Sequence, residues 1–278
     1  MPDTVLSPSA AGTADNEDIL LRSDDGPVSL LTLNHPQARN CLSEALLNAL
    51  QEQIDSIAQS RTAKAVVIAA NGPVFSSGHD IRELNAHRSD PDGGRSYFEK
   101  IFNISSRLMK SIVRCPKPVI AAVTGTATAA GSQLVATCDL AVASAEAEFC
   151  TPGVHIGLFC STPMVALSRN VGRKRAMEML LLGEMIGAED AARYGLVNRV
   201  VPKEQVIPEA MEMARKIASK SSQTIAIGKA TFYRQVEEPL GQAYDTAAEA
   251  MAANMMIADA EEGLCAFLEK REPHWSDS

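Results

Sequence analysis

The chain has 278 residues, of which 46% are hydrophobic and 22% charged, with a formal net charge of −8. This is enough to bury one large core, or one core with a helical extension. The acidic balance, with no basic block or stripe, argues against a nucleic-acid partner. No apolar run reaches the roughly 18 residues of a membrane span, because Arg, Lys, Asp or Glu interrupts each one.

The first stretch, MPDTVLSPSAAGTADNEDIL, is small, polar and acidic. It lacks the basic-then-apolar order of a secretory signal and the arginines of a transit peptide, so 1–17 reads as a flexible arm and a cytoplasmic location is the default expectation. Ile19–Arg22 and Val28–Leu33 form two strands around a turn at Asp24-Asp25-Gly26-Pro27. Ser43 caps a helix running to about Ala58, with Leu46, Leu47, Leu50, Ile54 and Ile57 on one face. Ala65–Ala70 is a buried strand, broken by Asn71-Gly72-Pro73. Residues 94–114 are helical, with Phe98, Ile101, Ile104, Leu108 and Ile112 at one-face spacing. Cys115-Pro116-Lys117-Pro118 ends that helix and opens a strand through Val123. Leu140–Ala143 and Ala147–Phe149 are short strands.

Beyond residue 160 the pattern turns mainly helical, over 177–182, 188–194, 204–220 and most of 222–270, with a strand at 196–202. The chain therefore divides into an α/β core at 18–200 and a C-terminal helical region at 201–278, with no Pro/Ser-rich linker between them. Six cysteines, at 41, 115, 138, 150, 160 and 265, show no C-x-x-C spacing and read as reduced thiols. The five histidines lack metal-ligand spacing, and no phosphate-binding glycine motif follows a strand.

Two places join a buried strand to a small-residue turn: FSSGHD (75–80) and GTATAAG (125–131), the second running into a helix start. Small residues let backbone N–H groups face a ligand, and a helix N-terminus adds unsatisfied donors. Facing one another, two such loops hold an oxyanion such as an enolate.

With their flanks these loops resemble a known family. LNHPQARNCL (33–42), KAVVIAANGPVFSSGHDIREL (64–84), KPVIAAVTGTATAAGSQLVATCDLAVAS (117–144) and ARYGLVNRVV (192–201) are similar, in order, to the signature segments of the crotonase, or enoyl-CoA hydratase/isomerase, superfamily. PGVHIGLFCSTP (152–163) and GKATFY (228–233) are similar to its enoyl-CoA hydratase domain-containing subgroup. The resemblance implies an α/β spiral of ββα units with a C-terminal helical trimerisation region. It implies a homotrimer or a dimer of trimers that binds an acyl-CoA thioester in lyase or isomerase chemistry of fatty-acid metabolism, with no cofactor beyond the coenzyme A of the substrate. By position, the backbone N–H groups of His79 and Ala130 hold the thioester carbonyl. Arg39, Ser76, Ser77, Asp80 and Ile81 contact CoA, and Lys270 and Arg271 reach its phosphate from a neighbouring subunit.

The chain departs from that pattern where hydratases of the family place two glutamates. These positions hold Gln133 and Gly153, neither of which transfers a proton at useful pKa. His155, Cys160 and Ser161 are the candidate substitutes, with a thiol at a helix start able to ionise more readily. Three functions follow as alternatives: a hydratase-like enzyme, a thioesterase or other acyl chemistry using Cys160, Ser161 or His155, and a non-catalytic acyl-CoA-binding or regulatory protein.

Overall fold

The structure, a computed structural model, describes residues 18–276; the arm expected over 1–17 lies outside them. The chain enters through a hairpin, β1 (Leu20–Asp25) and β2 (Val28–Leu33), then α1 (Glu44–Gln59). The pair β3 (Ala65–Ala70) and β4 (Val74–Ser76) precedes α2 (Ile81–Ala86) and α3 (Arg95–Arg114). The pair β5 (Val119–Val123) and β6 (Thr126–Thr128) precedes α4 (Ala130–Thr137). The pair β7 (Leu140–Ser144) and β8 (Glu148–Cys150) precedes α5 (Pro163–Asn170) and α6 (Arg173–Leu182). Then come β9 (Ile186–Gly187), α7 (Ala188–Tyr194), β10 (Arg199–Val201) and the helices α8 (Val206–Ala218), α9 (Ser222–Gln235), α10 (Leu240–Met255) and α11 (Ala258–Glu269).

The first strand of each pair joins one sheet and the second joins another. The larger sheet has the order β1-β2-β3-β5-β7-β10, parallel except for β1. The smaller has the order β4-β6-β8-β9, parallel except for β9. This alternation is the expected spiral of ββα units. It explains why β3 and β5 read as unbroken apolar runs: a parallel strand is covered on both faces. On β3, Val66, Ile68 and Ala70 face the main core with α1 and α3. Ala65, Val67 and Ala69 face the opposite way, toward Val206, Ala210 and Ala214 of α8. So α8 covers the second face of the larger sheet, while α9 and α10 pack on one another.

Local signals place most boundaries. The Ser43 hydroxyl accepts from Leu46 N–H at 3.2 Å and starts α1. Pro239 stands just before α10, splitting the long helical stretch. The strand expected over 196–202 shrinks to β10 because Leu196 and Val197 turn into the core, and Asn198 exchanges hydrogen bonds with Ala141. All six cysteines are free thiols, and only Cys265 is exposed.

Candidate functional site

The loop after β4 and the start of α4 lie against each other. Gly78 has φ +85, a conformation that favours glycine. A Cβ there would stand 2.9 Å from the Ala129 Cβ, 3.0 Å from the Ala130 nitrogen and 3.1 Å from the Thr128 carbonyl. A Cβ on Gly131 would collide with the Ser76 carbonyl. The Thr128 hydroxyl donates to the Ser77 carbonyl at 3.0 Å, fastening one loop to the other. Ser132 shares its hydroxyl proton between the carbonyls of Ala127 (2.7 Å) and Cys150 (2.9 Å), tying α4 to β6 and β8. Ser132 is thus a buried brace, not a nucleophile. Ala129, at φ 50 and ψ −118, turns the chain into α4 in a region that costs a non-glycine residue about 1–3 kcal/mol.

These contacts set the Ala130 nitrogen against Gly78, the residue before His79. Among the described residues neither the His79 N–H nor the Ala130 N–H donates to a protein acceptor. The Ala130 N–H is an unsatisfied donor of the first turn of α4, where the helix dipole favours negative charge.

Around it the side chains are neutral. Gln133, one turn into α4, is 4% exposed, and its Oε1 has no hydrogen-bond partner. The imidazole of His79 packs edge-to-face on Phe102 of α3, with ring centroids 5.3 Å apart; the Leu42 backbone lies beside it, outside good hydrogen-bonding geometry. Burial lowers its pKa below the ordinary 6.5, with an opposing contribution from the Leu42 backbone, so the ring is uncharged at pH 7.

Position 153 is closed. Gly153 sits in a 3-10 turn, Pro152–Ile156, and Leu158 N–H donates to its carbonyl at 2.9 Å. A Cβ on Gly153 would stand 2.6 Å from the Leu158 carbonyl oxygen and 2.9 Å from the Cys160 sulfur. Residues 154–160 therefore fold over the place where a glutamate side chain would begin. Cys160 is buried, and burial raises its thiol pKa against the Gly153 backbone contact, which is opposite to the activation expected of a thiol at a helix start. His155 is exposed, with Nε2 2.9 Å from the Leu182 carbonyl. A carbonyl only accepts, so Nε2 carries the proton there. The Ser161 hydroxyl donates to Phe159 O at 3.3 Å, and Thr162, which precedes α5, makes no side-chain cap.

The proposed CoA contacts cluster in part. Arg39 is exposed, in left-handed conformation, and its carbonyl accepts from Ser77 N–H at 3.1 Å. The Ser76 hydroxyl accepts from Gly78 N–H at 3.3 Å. Asp80 caps α2 by accepting from Arg82 N–H (2.7 Å) and Glu83 N–H (3.3 Å), and takes the Cys41 thiol at 3.3 Å. Burial would raise its pKa, but these donors hold the carboxyl below its usual range. Ile81 is exposed at the first position of that helix. Lys270 ends α11 in left-handed conformation. Arg271 is engaged by Glu262 at 2.5 Å and Glu269 at 2.6 Å.

Phe102 and Ser105 were not singled out in the sequence. The available signal was a serine on the buried face of α3, between Ile101 and Leu108. Ser105 is fully buried and its hydroxyl has no partner. A second polar cluster also emerges. Lys229 of α9 donates to Asp139 (2.6 Å), Ile112 O (3.0 Å) and Lys117 O (3.3 Å). Asp139 also accepts from Val119 N–H (2.7 Å) and the Tyr233 hydroxyl (2.9 Å).

This fold is shared with known proteins. The sequence profile of the enoyl-CoA hydratase/isomerase family matches residues 24–278, and the chain belongs to that family. It is 47% identical over 274 residues to the mitochondrial enoyl-CoA hydratase domain-containing protein 3 of Mus musculus, covering 97% of this chain and 89% of that one. A solved structure of enoyl-CoA hydratase from Mycobacterium smegmatis superposes with a TM-score of 0.89 at 52% identity, covering 93% and 99% of the two chains. The crystal structure of human enoyl-CoA hydratase domain-containing protein 3 gives 0.88 at 47%, covering 92% and 100%. The cytoplasmic expectation is overturned: the curated relatives of this subgroup are named as mitochondrial proteins. An acidic first stretch without arginines is a statement about composition and does not fix an address.

Proposed function

We propose that the chain binds an acyl-CoA thioester and polarises its carbonyl between the N–H groups of His79 and Ala130, without the two glutamates that drive hydration. The observation that carries this reading is the close approach at Gly78, where a missing Cβ lets the loop after β4 pack against the start of α4, while the N–H groups of His79 and Ala130 donate to no protein acceptor among the described residues. Charge developing on the thioester oxygen in an enolate-like state is stabilised there. Each missing acid or base costs roughly 10²–10⁴ in rate, so hydration of a conjugated enoyl-CoA is slow. Coenzyme A enters as part of the substrate, gripped along Arg39, Ser76, Ser77, Asp80 and Ile81, with no further cofactor. Exposed apolar side chains on α9–α11, among them Phe232, Leu240, Tyr244 and Phe267, support a homotrimer that brings Lys270 and Arg271 toward a neighbour's CoA.

A thioester and its thioether analogue, in which CH₂ replaces the carbonyl, separate this reading from plain CoA binding. Two net hydrogen bonds predict that isothermal titration finds the thioether on the order of 10- to 100-fold weaker. Equal affinities would remove the oxyanion hole from the account. Thiol release from the ester would move it to a thioesterase, a reading that the buried, protonated Cys160 does not favour.

A further inference from the structure

Helix α9 stands off the core. None of its residues is buried, and it is tied down by Lys229 and Tyr233, both bonded to Asp139. Lys229 also donates to Ile112 O near the end of α3, so a polar anchor and not a packed apolar face joins the two helices. Between them runs a cleft of about 420 Å³. That size falls within the roughly 300–1,000 Å³ of small-molecule sites. Val113 and Pro116 form one wall, and Ala226 and Ala230 form the other. Apolar walls facing an open cleft lack the dispersion contacts of a packed core, and an apolar body entering it supplies them.

Charge is distributed unevenly around this cleft. Three cations line it, Arg114, Lys229 and Arg234, and no carboxylate does. Lys229 is neutralised by Asp139 at 2.6 Å. Arg234 shares its charge with Glu238 at 3.0 Å. Arg114, the last residue of α3, has no ion-pair partner among the described residues. Its charge also offsets the negative end of the α3 dipole, which accounts for a cation there but not for the apolar cleft beside it. One uncompensated guanidinium over apolar walls matches one carboxylate on an apolar body. A phosphate monoester, with nearly two charges, would exceed the available counter-charge. On the opposite flank of α9, a groove of about 360 Å³ shares Lys229 and Tyr233 but is lined by Asp139 and has no arginine. The preference for an anion therefore belongs to the α3 side alone.

We infer that the cleft between α3 and α9 is a second ligand site, sharing no residue with the loops at Gly78 and Ala130, and that it takes an aliphatic monocarboxylate. The carboxylate pairs with Arg114, and the chain lies along Val113, Pro116, Ala226 and Ala230. A ligand there bridges α3 to α9, bracing the helical region against the core and stabilising the folded chain by mass action.

Calorimetric titration of the full chain with octanoate, octan-1-ol, octylamine and inorganic phosphate tests this. Octanoate is expected to bind roughly 10-fold tighter than octan-1-ol, with octylamine and phosphate weaker still. Arg114→Gln should weaken octanoate by about the same factor and leave octan-1-ol unchanged. Ala230→Phe, which fills the cleft from an exposed position, should abolish the binding of both. Both substitutions are at exposed positions, and the two act on different parts of the site, so a folding defect in one leaves the other as the test. No heat of octanoate binding, octan-1-ol or phosphate binding as tightly as octanoate, or octanoate affinity unchanged in either variant would overturn the inference.

Discussion

Two polar clusters in this molecule, one part-buried and one buried, are built on opposite terms. Where α9 meets the core, Lys229, Asp139 and Tyr233 are tied to one another and to the backbone of Ile112, Lys117 and Val119. Where α3, α4 and the loop after β4 meet, His79, Gln133 and Ser105 leave four polar atoms without partners. A low-dielectric interior strengthens a completed network and penalises an incomplete one. The first cluster ties α9 to the core; the second leaves polar atoms unpaired at a cost to the fold.

The comparison breaks most visibly at Lys229. Lys229→Met would leave the part-buried Asp139 carboxylate without its cation, and equilibrium denaturation should show a loss of about 2–3 kcal/mol. A loss below about 1 kcal/mol would mean that the ion pair contributes little beyond the Val119 and Tyr233 hydrogen bonds. A smaller loss is expected at the closed position. Gly153→Glu drives a side chain into the Leu158 carbonyl and the Cys160 sulfur and should cost about 1–3 kcal/mol through overpacking. For the same reason the double variant Gln133→Glu, Gly153→Glu should gain no hydration of crotonyl-CoA by loss of enone absorbance. A folded double variant that hydrates would show that residues 154–160 yield easily.

Much of this was legible in the sequence. The strand pairs, α1, α3 and the two glycine-marked loops follow from period and turn chemistry, which act locally. The departures at Gln133 and Gly153 were visible as missing carboxylates. Sequence did not reveal that Leu158 and Cys160 occupy the space next to Gly153, because that contact is made by a loop folding back on itself. Nor did it reveal the Lys229–Asp139 pairing, whose partners are 90 residues apart. Ser105 is one polar residue on an apolar face of α3, and only the structure shows its hydroxyl buried without a partner.

The most direct test of the contrast is the stability of His79→Phe against the unaltered chain, measured by equilibrium denaturation from pH 5 to pH 8. Replacing a buried imidazole, whose polar neighbour Leu42 lies outside good hydrogen-bonding geometry, with a ring of similar shape should raise stability at pH 7 by about 1–2 kcal/mol. Folding favours the neutral imidazole, because burial lowers its pKa below 6.5, so the unfolded chain holds the extra proton. The stability of the unaltered chain therefore falls as pH drops below about 6.5 toward the folded-state pKa, and the advantage of the variant widens over that window. A variant that is less stable at pH 7, with no widening at lower pH, would show that the His79 ring is a paired structural element and would contradict the account.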